Sequence, residues 1–253
     1  NWGSGVGQEN ELYRNEGNLT FSPVSGGDIT LAIGSQGATG GDLDGDGDVD
    51  IILADYFGNH NVFVLLNDST GTLSLQDNVQ LGLPTSGNCD GVTLGDLNND
   101  GHLDLIIANS TTKFVYVNNG DATFNFTASF SAPGYMAAVG DFDNDGDLDL
   151  YCPGDDRIFL NDGSVNFSAV SITGIPNTSG NDPRCASLAD IDGDGDLDII
   201  NIHKSGYNVL LRNDSTISSF WIKLKLKRQS NQIGAFGTKV YIYESGHLGD
   251  ANH

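Results

Sequence analysis

A nine-residue acidic motif occurs four times in this chain, and each copy runs directly into a short apolar stretch. The copies are DLDGDGDVD at 42–50, DLNNDGHLD at 96–104, DFDNDGDLD at 141–149 and DIDGDGDLD at 190–198. Each copy has an oxygen-bearing side chain at motif positions one, three, five and nine, and glycine at position six. Glycine permits a sharp turn, and alternating carboxylates on such a turn suit a hard cation. The motif therefore constrains both the fold and the chemistry.

The predicted metal ligands are oxygen atoms, of which Ca²⁺ takes about six to eight at roughly 2.3–2.6 Å. The side-chain ligands at positions one, three, five and nine are Asp42, Asp44, Asp46, Asp50, Asp96, Asn98, Asp100, Asp104, Asp141, Asp143, Asp145, Asp149, Asp190, Asp192, Asp194 and Asp198. The backbone carbonyls at position seven belong to Asp48, His102, Asp147 and Asp196. We expect about one Ca²⁺ per loop, since Mg²⁺ demands stricter octahedral geometry. The second loop is predicted to be the weakest site, because Asn98 replaces a carboxylate.

The four loops are not EF-hands, which need a glutamate at position twelve and a helix on each side. Position twelve is Leu53, Ile107, Cys152 or Asn201, and the flanking stretches are rich in β-branched residues, as strands are. The alternative is that the acidic residues only form solvated turns. Four copies in register favour the strand–loop–strand metal site.

A second landmark lies between the loops, where strand-like runs end in an Asn-containing turn. These runs are ELYRNEG at 11–17, FVLLNDS at 63–69, FVYVNNG at 114–120, IFLNDG at 158–163 and VLLRNDS at 209–215. Asn-Gly and Asn-Asp turns favour β-hairpins. A repeat of roughly 40–50 residues with about four short strands is typical of a β-propeller blade.

The sequence thus predicts an all-β fold, a β-propeller of four-stranded antiparallel blades. Complete units are predicted at 37–82, 91–131, 136–173 and 185–216, preceded by a half unit at 10–33 that has no acidic loop of its own. In the second unit the strands are VTLGD, LDLIIAN, KFVYVNN and, at the rim, FNFTASF. About 4.5 blades are visible. Either strands at 220–227 and 238–243 close a five-bladed ring, or the chain is part of a seven-bladed ring with further blades upstream.

The stretches VGDFDNDGDLDLY, LADIDGDGDLDII and LYRNEGNLTF resemble the FG-GAP/VCBS repeats of integrin α-chain-like propellers and of many secreted bacterial proteins. The resemblance covers residues 10–215 and defines a first domain at 1–216. It implies structural calcium inside each blade, held by the loop residues given above.

Residues 217–253 are predicted to form a second, β-rich segment. FWIKLKLKRQSNQIGAFGTKVYIY at 220–243 resembles the opening of the ASPIC/UnbV module that follows such repeats in cartilage acidic protein-like chains. The matching residues include Trp221, Ile233 and Val240. That module normally continues further than His253, so the resemblance implies a truncated copy.

The charge of the chain excludes several partners. The formal net charge is −23, and more than half of the 34 acidic residues lie in the four loops. No basic patch is present for nucleic acid, and no apolar run is long enough for a membrane span. The start NWGSGVGQ is not a signal peptide, as expected of a mature or truncated product. The acidic loops favour an extracellular setting, or the periplasm of a bacterium.

Three cysteines permit one disulfide bond and one remaining thiol, or three small buried side chains. The chain also carries seven Asn-x-Ser/Thr sequences, so a glycoprotein is an open alternative if the source is eukaryotic. No histidine pair, nucleophile elbow or phosphate-binding loop points to catalysis.

The leading hypothesis is a secreted, calcium-stabilised propeller for extracellular binding or cell adhesion, with a protein or glycan ligand and no enzymatic activity. One alternative is a structural subunit of an extracellular glycoprotein assembly, with self-association through incomplete blade edges. Another is the propeller domain of a secreted hydrolase or lyase.

Overall fold

The computed structural model describes most of the first 214 residues of this chain. The described ranges are 8–24, 27–30, 32–33, 35–56, 62–154, 157–173, 183–204 and 207–214. All of them lie in one compact unit, Asn1–Ile217. The strands predicted at 220–227 and 238–243 and the module predicted at 217–253 fall outside the described residues.

The chain opens with four short strands and a 3₁₀ turn. Their bounds are β1 (Gln8–Glu9), β2 (Leu12–Gly17), β3 (Thr20–Val24), the 3₁₀ turn Asp28–Thr30 and β4 (Ala32–Ile33). Strand β1 pairs with β4, and β2 forms an antiparallel hairpin with β3.

Four antiparallel sheets follow, one for each acidic motif. The first contains β5 (Ser35–Gly41), β6 (Asp50–Asp55), β7 (Val62–Asn67) and β8 (Leu73–Leu75). The second contains β9 (Gly91–Gly95), β10 (Asp104–Ala108), β11 (Thr112–Asn118) and β12 (Phe124–Ser131). The third contains β13 (Ala138–Gly140), β14 (Asp149–Cys152), β15 (Arg157–Asn161) and β16 (Phe167–Ser171). The fourth has three strands within the described residues, namely β17 (Pro183–Ala189), β18 (Asp198–His203) and β19 (Val209–Leu211).

Each sheet is one blade of a β-propeller, as predicted. The strands of a blade are ordered as they occur in the chain, and the first strands β5, β9, β13 and β17 contact one another in sequence. In every blade the acidic motif joins the first strand to the second. Because neighbouring strands are antiparallel, the four loops lie at one end of the blades and the connections between second and third strands lie at the other.

The hydrophobic core lies between successive blades. Strand β10 is buried along its whole length. Its Leu105 and Ile107 pack with the first blade, whereas Ile106 packs with the third. A strand buried on both faces needs apolar residues at consecutive positions, which explains the uninterrupted LIIA after the acidic motif.

The half unit predicted at 10–33 is the outer hairpin of a blade. Its turn has positive φ at Gly17 (86°) and Leu19 (61°), as the turn of the second blade has at Gly120 (85°) and Ala122 (61°). Leu12 packs against the core of the first blade. Strands β2 and β3 therefore correspond to the third and fourth strands of a blade.

The sequence did not predict α1 (Asn78–Leu81), a single helical turn between the first and second blades. The Asp77 side chain caps it by accepting a hydrogen bond from the N–H of Val79. Its four residues carry too little periodicity to be read from the sequence. Within the described part of the chain, no helix has the length and apolar character needed to cross a lipid bilayer.

Candidate metal centres

The aspartate at motif position one folds each loop onto itself. In the first loop the two carboxylate oxygens of Asp42 accept hydrogen bonds from the N–H groups of Gly45 (2.9 Å) and Gly47 (3.1 Å). Both glycines have positive φ, 79° and 94°. In the second loop Asn99 occupies the position equivalent to Gly45, and its φ is 60°. Position four is Gly or Asn because these residues tolerate the left-handed backbone best.

The aspartate at position nine has a structural role that the sequence reasoning missed. Asp104 is fully buried; one carboxylate oxygen accepts from the N–H of Leu97, at position two, and the other accepts from the N–H of Asn118, both at 2.9 Å. The same two hydrogen bonds occur in all four blades. We call this arrangement the Asp–Asn latch, because it ties the acidic loop to the Asn-containing turn. The sequence indicates the latch through the Asn of the Asn-containing turn, which follows every position-nine aspartate.

Three of the four loops bring carboxylates together. Ligand atoms lie within 4.8 Å of one another in the groups Asp42–Asp44–Asp50, Asp141–Asp143–Asp149 and Asp190–Asp192–Asp194. In the first and third loops the group therefore joins positions one, three and nine, whereas in the fourth it joins positions one, three and five. Each latched carboxylate oxygen keeps a lone pair with which it could also hold a cation. These three clusters are candidate metal centres.

The second loop forms no such group among the described residues. Its Asn98 side-chain amide instead donates a hydrogen bond to Asp100 (2.9 Å). That the second loop is the weakest site stays a prediction. The ligand roles of Asp96, Asp100 and Asp104, and of the carbonyl oxygen of His102, stay predictions.

Two other sets of predicted ligands have different surroundings. Asp46 and Asp145, at position five, lie outside the carboxylate groups, and each accepts a hydrogen bond from the position-seven N–H (2.9 Å). The carbonyl roles at position seven are untested for Asp48, Asp147 and Asp196, and so are the side-chain roles of Asp46, Asp145 and Asp198.

Burial and mutual repulsion disfavour negative charge in the loops. Burial first, and then the charges of the neighbouring loop carboxylates, raise the pKa of Asp104 and of Asp149 to about 6 against the opposing effect of the two backbone hydrogen bonds. The pKa of Asp143 is raised first by burial and then by the charges of Asp145 and Asp141. A divalent cation would offset this repulsion, so the loops are chemically suited to one.

The latch also connects successive blades. The side-chain amide of Asn118 donates to the carbonyl of Leu103 in its own blade (3.1 Å) and to that of Leu43 in the preceding blade (2.9 Å). Asn161 and Asn213 make the same bond to the preceding blade, with Leu97 and Phe142 respectively.

Two further contacts join one loop to the next. The amide of Asn99 donates to Asp147 (2.6 Å), and that of Asn144 donates to Asp196 (2.7 Å). A side chain at Gly140 would approach Leu197 of the following blade to 2.6 Å, so the first strand ends in glycine where the next blade packs. The candidate centres are thus part of the blade interfaces.

Cys89, Cys152 and Cys185 form no disulfide bond with one another, so the one that the sequence permitted does not form. Cys89 and Cys152 are buried, as the alternative of small buried side chains required, whereas Cys185 is half-buried. Burial raises the pKa of the Cys89 thiol to about 12, which leaves it protonated and unreactive.

The sequence matches the FG-GAP-like repeat at residues 2–53, 42–107, 96–152 and 141–200. These matches end before residue 217, so the ASPIC/UnbV resemblance stays a prediction. No curated protein is significantly similar to the chain in sequence.

Among solved structures, one described as showing specific recognition of non-reducing terminal N-acetylglucosamine by an Agrocybe aegerita lectin is similar, with a TM-score of 0.55 and 20% identity. That similarity covers 81% of this chain and 60% of the lectin. The V. cholerae biofilm matrix protein Bap1 is a more distant match, with a TM-score of 0.39, 17% identity and coverage of 65% of this chain and 23% of Bap1. The first of these supports the propeller fold.

Proposed function

Because this chain belongs to the FG-GAP-like repeat family, we propose that it is a calcium-stabilised β-propeller that binds a protein or glycan ligand outside the cell. Calcium is structural in this proposal, and the protein carries out no catalysis. The observation that carries the calcium assignment is the approach of three carboxylates to within 4.8 Å in three loops.

Calcium would act by stabilising the folded state. An ion that binds only the folded protein adds about 4 kcal/mol per site when its free concentration is about 1,000 times Kd. The position-nine carboxylate belongs both to the cluster and to the latch in the first and third loops. Binding there would neutralise charge at the point where the loop is tied to the hairpin, and so would couple metal binding to folding.

Thermal unfolding tests this assignment. We expect a higher Tm in calcium than in EDTA, and a smaller increase in magnesium, which fits a multi-carboxylate loop less readily. Isothermal titration calorimetry gives the number of ions bound. The same Tm in calcium and in EDTA would contradict the structural role of the metal.

The proposed ligand class starts from the lectin, whose description names a glycan. The lectin similarity at 20% identity supports the fold, and it makes glycans the first class to test. A glycan array probed with the calcium-loaded chain, followed by a screen of the same glycans for hydrolysis or elimination products, separates a binding protein from an enzyme. Product formation would overturn the proposal of binding without catalysis.

A second candidate function is a subunit of an extracellular assembly. Val49, at position eight of the first loop, is 60% exposed, and Ile191, at position two of the fourth loop, is 49% exposed. Their counterparts Leu103 and Leu97 pack between blades. The exposed pair therefore marks blade faces available for self-association. Analytical ultracentrifugation showing only monomer over a wide concentration range would contradict this alternative.

A further inference from the structure

A polar cleft lies at the end of the blades opposite the acidic loops. Its volume is about 320 Å³. Tyr56 follows the second strand of the first blade, and Asn109 follows the second strand of the second blade. Asp90 and Tyr135 directly precede the regions where β9 and β13 begin. These connections all belong to the end of the propeller that carries no candidate metal centre.

Asp90 is the residue that points to a ligand. It is only 6% exposed, yet one of its carboxylate oxygens, Oδ1, has no hydrogen-bond partner. The carboxylate does accept a hydrogen bond from the backbone N–H of Ser110. Leaving a buried acceptor unsatisfied costs about 1–3 kcal/mol, more for a charged group. A ligand that donates hydrogen bonds into the cleft would remove that cost.

The walls of the cleft are held in place by Lys113. This lysine is fully buried, and its ammonium donates to the carbonyls of Asn109 (3.2 Å), Ala132 (2.7 Å) and Gly134 (2.9 Å). Lys113 thereby joins the connection inside the second blade to the crossover that leads to the third. Residues next to these carbonyls line the cleft, so its shape is organised before a ligand arrives.

The amide of Asn109 is oriented by its own loop. Its oxygen accepts hydrogen bonds from the N–H groups of Thr111 (3.0 Å) and Thr112 (2.7 Å). With the oxygen occupied in this way, the NH₂ group is the part of the amide suited to a ligand acceptor. The cleft therefore offers a fixed acceptor in Asp90 and a fixed donor in Asn109.

The charges around the cleft select against ionic ligands. Lys113 and Arg184 both interact electrostatically with Asp90, and Arg184 lies over the ring of Tyr135, 4.1 Å from its centroid. These two cations disfavour a metal ion or an ammonium group. The Asp90 carboxylate and the net charge of −23 disfavour an anion.

The chemistry that remains is that of a neutral ring bearing hydroxyl groups. Hydroxyls both donate and accept, as Asp90 and Asn109 together require. Tyr56 adds aromatic surface for the apolar face of such a ring, whereas one face of the Tyr135 ring is already covered by Arg184. The volume is at the lower end of the range of about 300–1,000 Å³ for ligand pockets, so a single small ring is the suitable size.

We propose that this cleft binds a neutral saccharide unit, with Asp90 accepting hydrogen bonds from its hydroxyl groups. This assignment rests on the binding function proposed above and gives it a location and a ligand class. It is separate from the metal centres, which lie at the other end of the blades.

The test uses the full chain in calcium, with the methyl glycosides of glucose, galactose, mannose and N-acetylglucosamine as probes in saturation-transfer NMR and calorimetry. We expect at least one glycoside to bind. Asp90→Asn should weaken its binding by about 10- to 100-fold, the effect of losing a hydrogen bond to a charged group. Asp121→Asn changes the net charge equally at an exposed turn at the other end of the blade, and should bind as the unaltered chain does.

A Tyr56→Ala variant gives an independent measure, and a melting curve of each variant shows that it is folded. Equal affinity of the unaltered chain, D90N and Y56A for a glycoside would overturn the cleft assignment while leaving glycan binding in place. Absence of binding by all four glycosides would overturn the saccharide class. A protein ligand found instead would leave the general binding function standing, and a Tm unaffected by calcium would contradict only the metal proposal.

Discussion

The second and third acidic loops share one structural role but differ in the chemistry that they offer a metal. Both have a buried position-nine aspartate, Asp104 or Asp149, that accepts the same two backbone hydrogen bonds. Only the third loop gathers three carboxylates, because position three is Asp143 there and Asn98 in the second loop. The latch and the candidate metal centre are therefore separable functions of the same nine residues.

The largest effect is expected from removing the latch. Asp104→Ala and Asp149→Ala each leave two buried backbone N–H groups without an acceptor, and each should lower the free energy of unfolding in EDTA by about 2–4 kcal/mol. Urea denaturation measures the loss, with Asp121→Ala at an exposed turn as control. The two losses should be similar in EDTA, and only D149A should lose additional stability in calcium. A loss confined to D149A in EDTA would mean that the latch does not act alike in both loops.

Exchanging the position-three residues should exchange the metal behaviour of the two loops. Asn98→Asp supplies the missing carboxylate, and Asp143→Asn removes one from the third loop. We expect a calcium affinity change of about tenfold in opposite directions, corresponding to about 1.4 kcal/mol, as measured by calorimetry. If neither substitution altered the affinity or the number of ions bound, the position-three side chains would not be ligands.

The pH dependence of stability should reverse when calcium is added. In the metal-free protein, burial raises the pKa of Asp104 and Asp149 from 3.8 to about 6. A raised pKa contributes stability that is present below the unfolded value and is lost as the pH rises through the folded value. The metal-free Tm should therefore fall by a few degrees between about pH 4 and 7. In calcium, Asp149 must be ionised to bind the metal, so the calcium-induced rise in Tm should be larger at pH 7 than at pH 5.

The smallest effect is expected where one loop touches the next. Asn99→Gly keeps the left-handed backbone but removes the hydrogen bond to Asp147, and should lower the free energy of unfolding by about 0.5–1 kcal/mol. Gly45→Asn is the matched control, since the following loop presents His102 in place of that carboxylate. If G45N raised the free energy of unfolding by as much as N99G lowers it, the contribution of the asparagine side chain would not depend on a carboxylate partner in the next loop.

Most of the blade architecture was predictable because the same pattern of strands and acidic loop occurs four times in the sequence. The strands predicted in the second unit, VTLGD, LDLIIAN, KFVYVNN and FNFTASF, correspond in this order to β9, β10, β11 and β12. The glycines at motif position six have left-handed backbone conformations, as a sharp turn requires. Each of these features is a pattern within one repeat. Because the pattern occurs in all four repeats, its prediction does not depend on any single residue.

What could not be predicted involves contacts between repeats. The bond from Asn118 to Leu43 spans 75 residues, and nothing within either repeat indicates it. The polar cleft likewise combines Tyr56, Asp90 and Tyr135 from three different connections. In the sequence, Lys113 is simply a polar residue in a predicted strand. The structure shows that its ammonium is buried and donates to three carbonyls.

The cross-blade amide has a consequence for how a chain of this kind can grow. The side-chain amides of Asn118, Asn161 and Asn213 each donate to a carbonyl in the loop of the preceding blade. The second and third blades therefore carry both the donor that bonds to the preceding blade and the carbonyl that the following blade uses. A duplicated repeat inserted between two others would bring both halves of this joint with it. The number of blades can therefore change by whole units without a new interface having to arise.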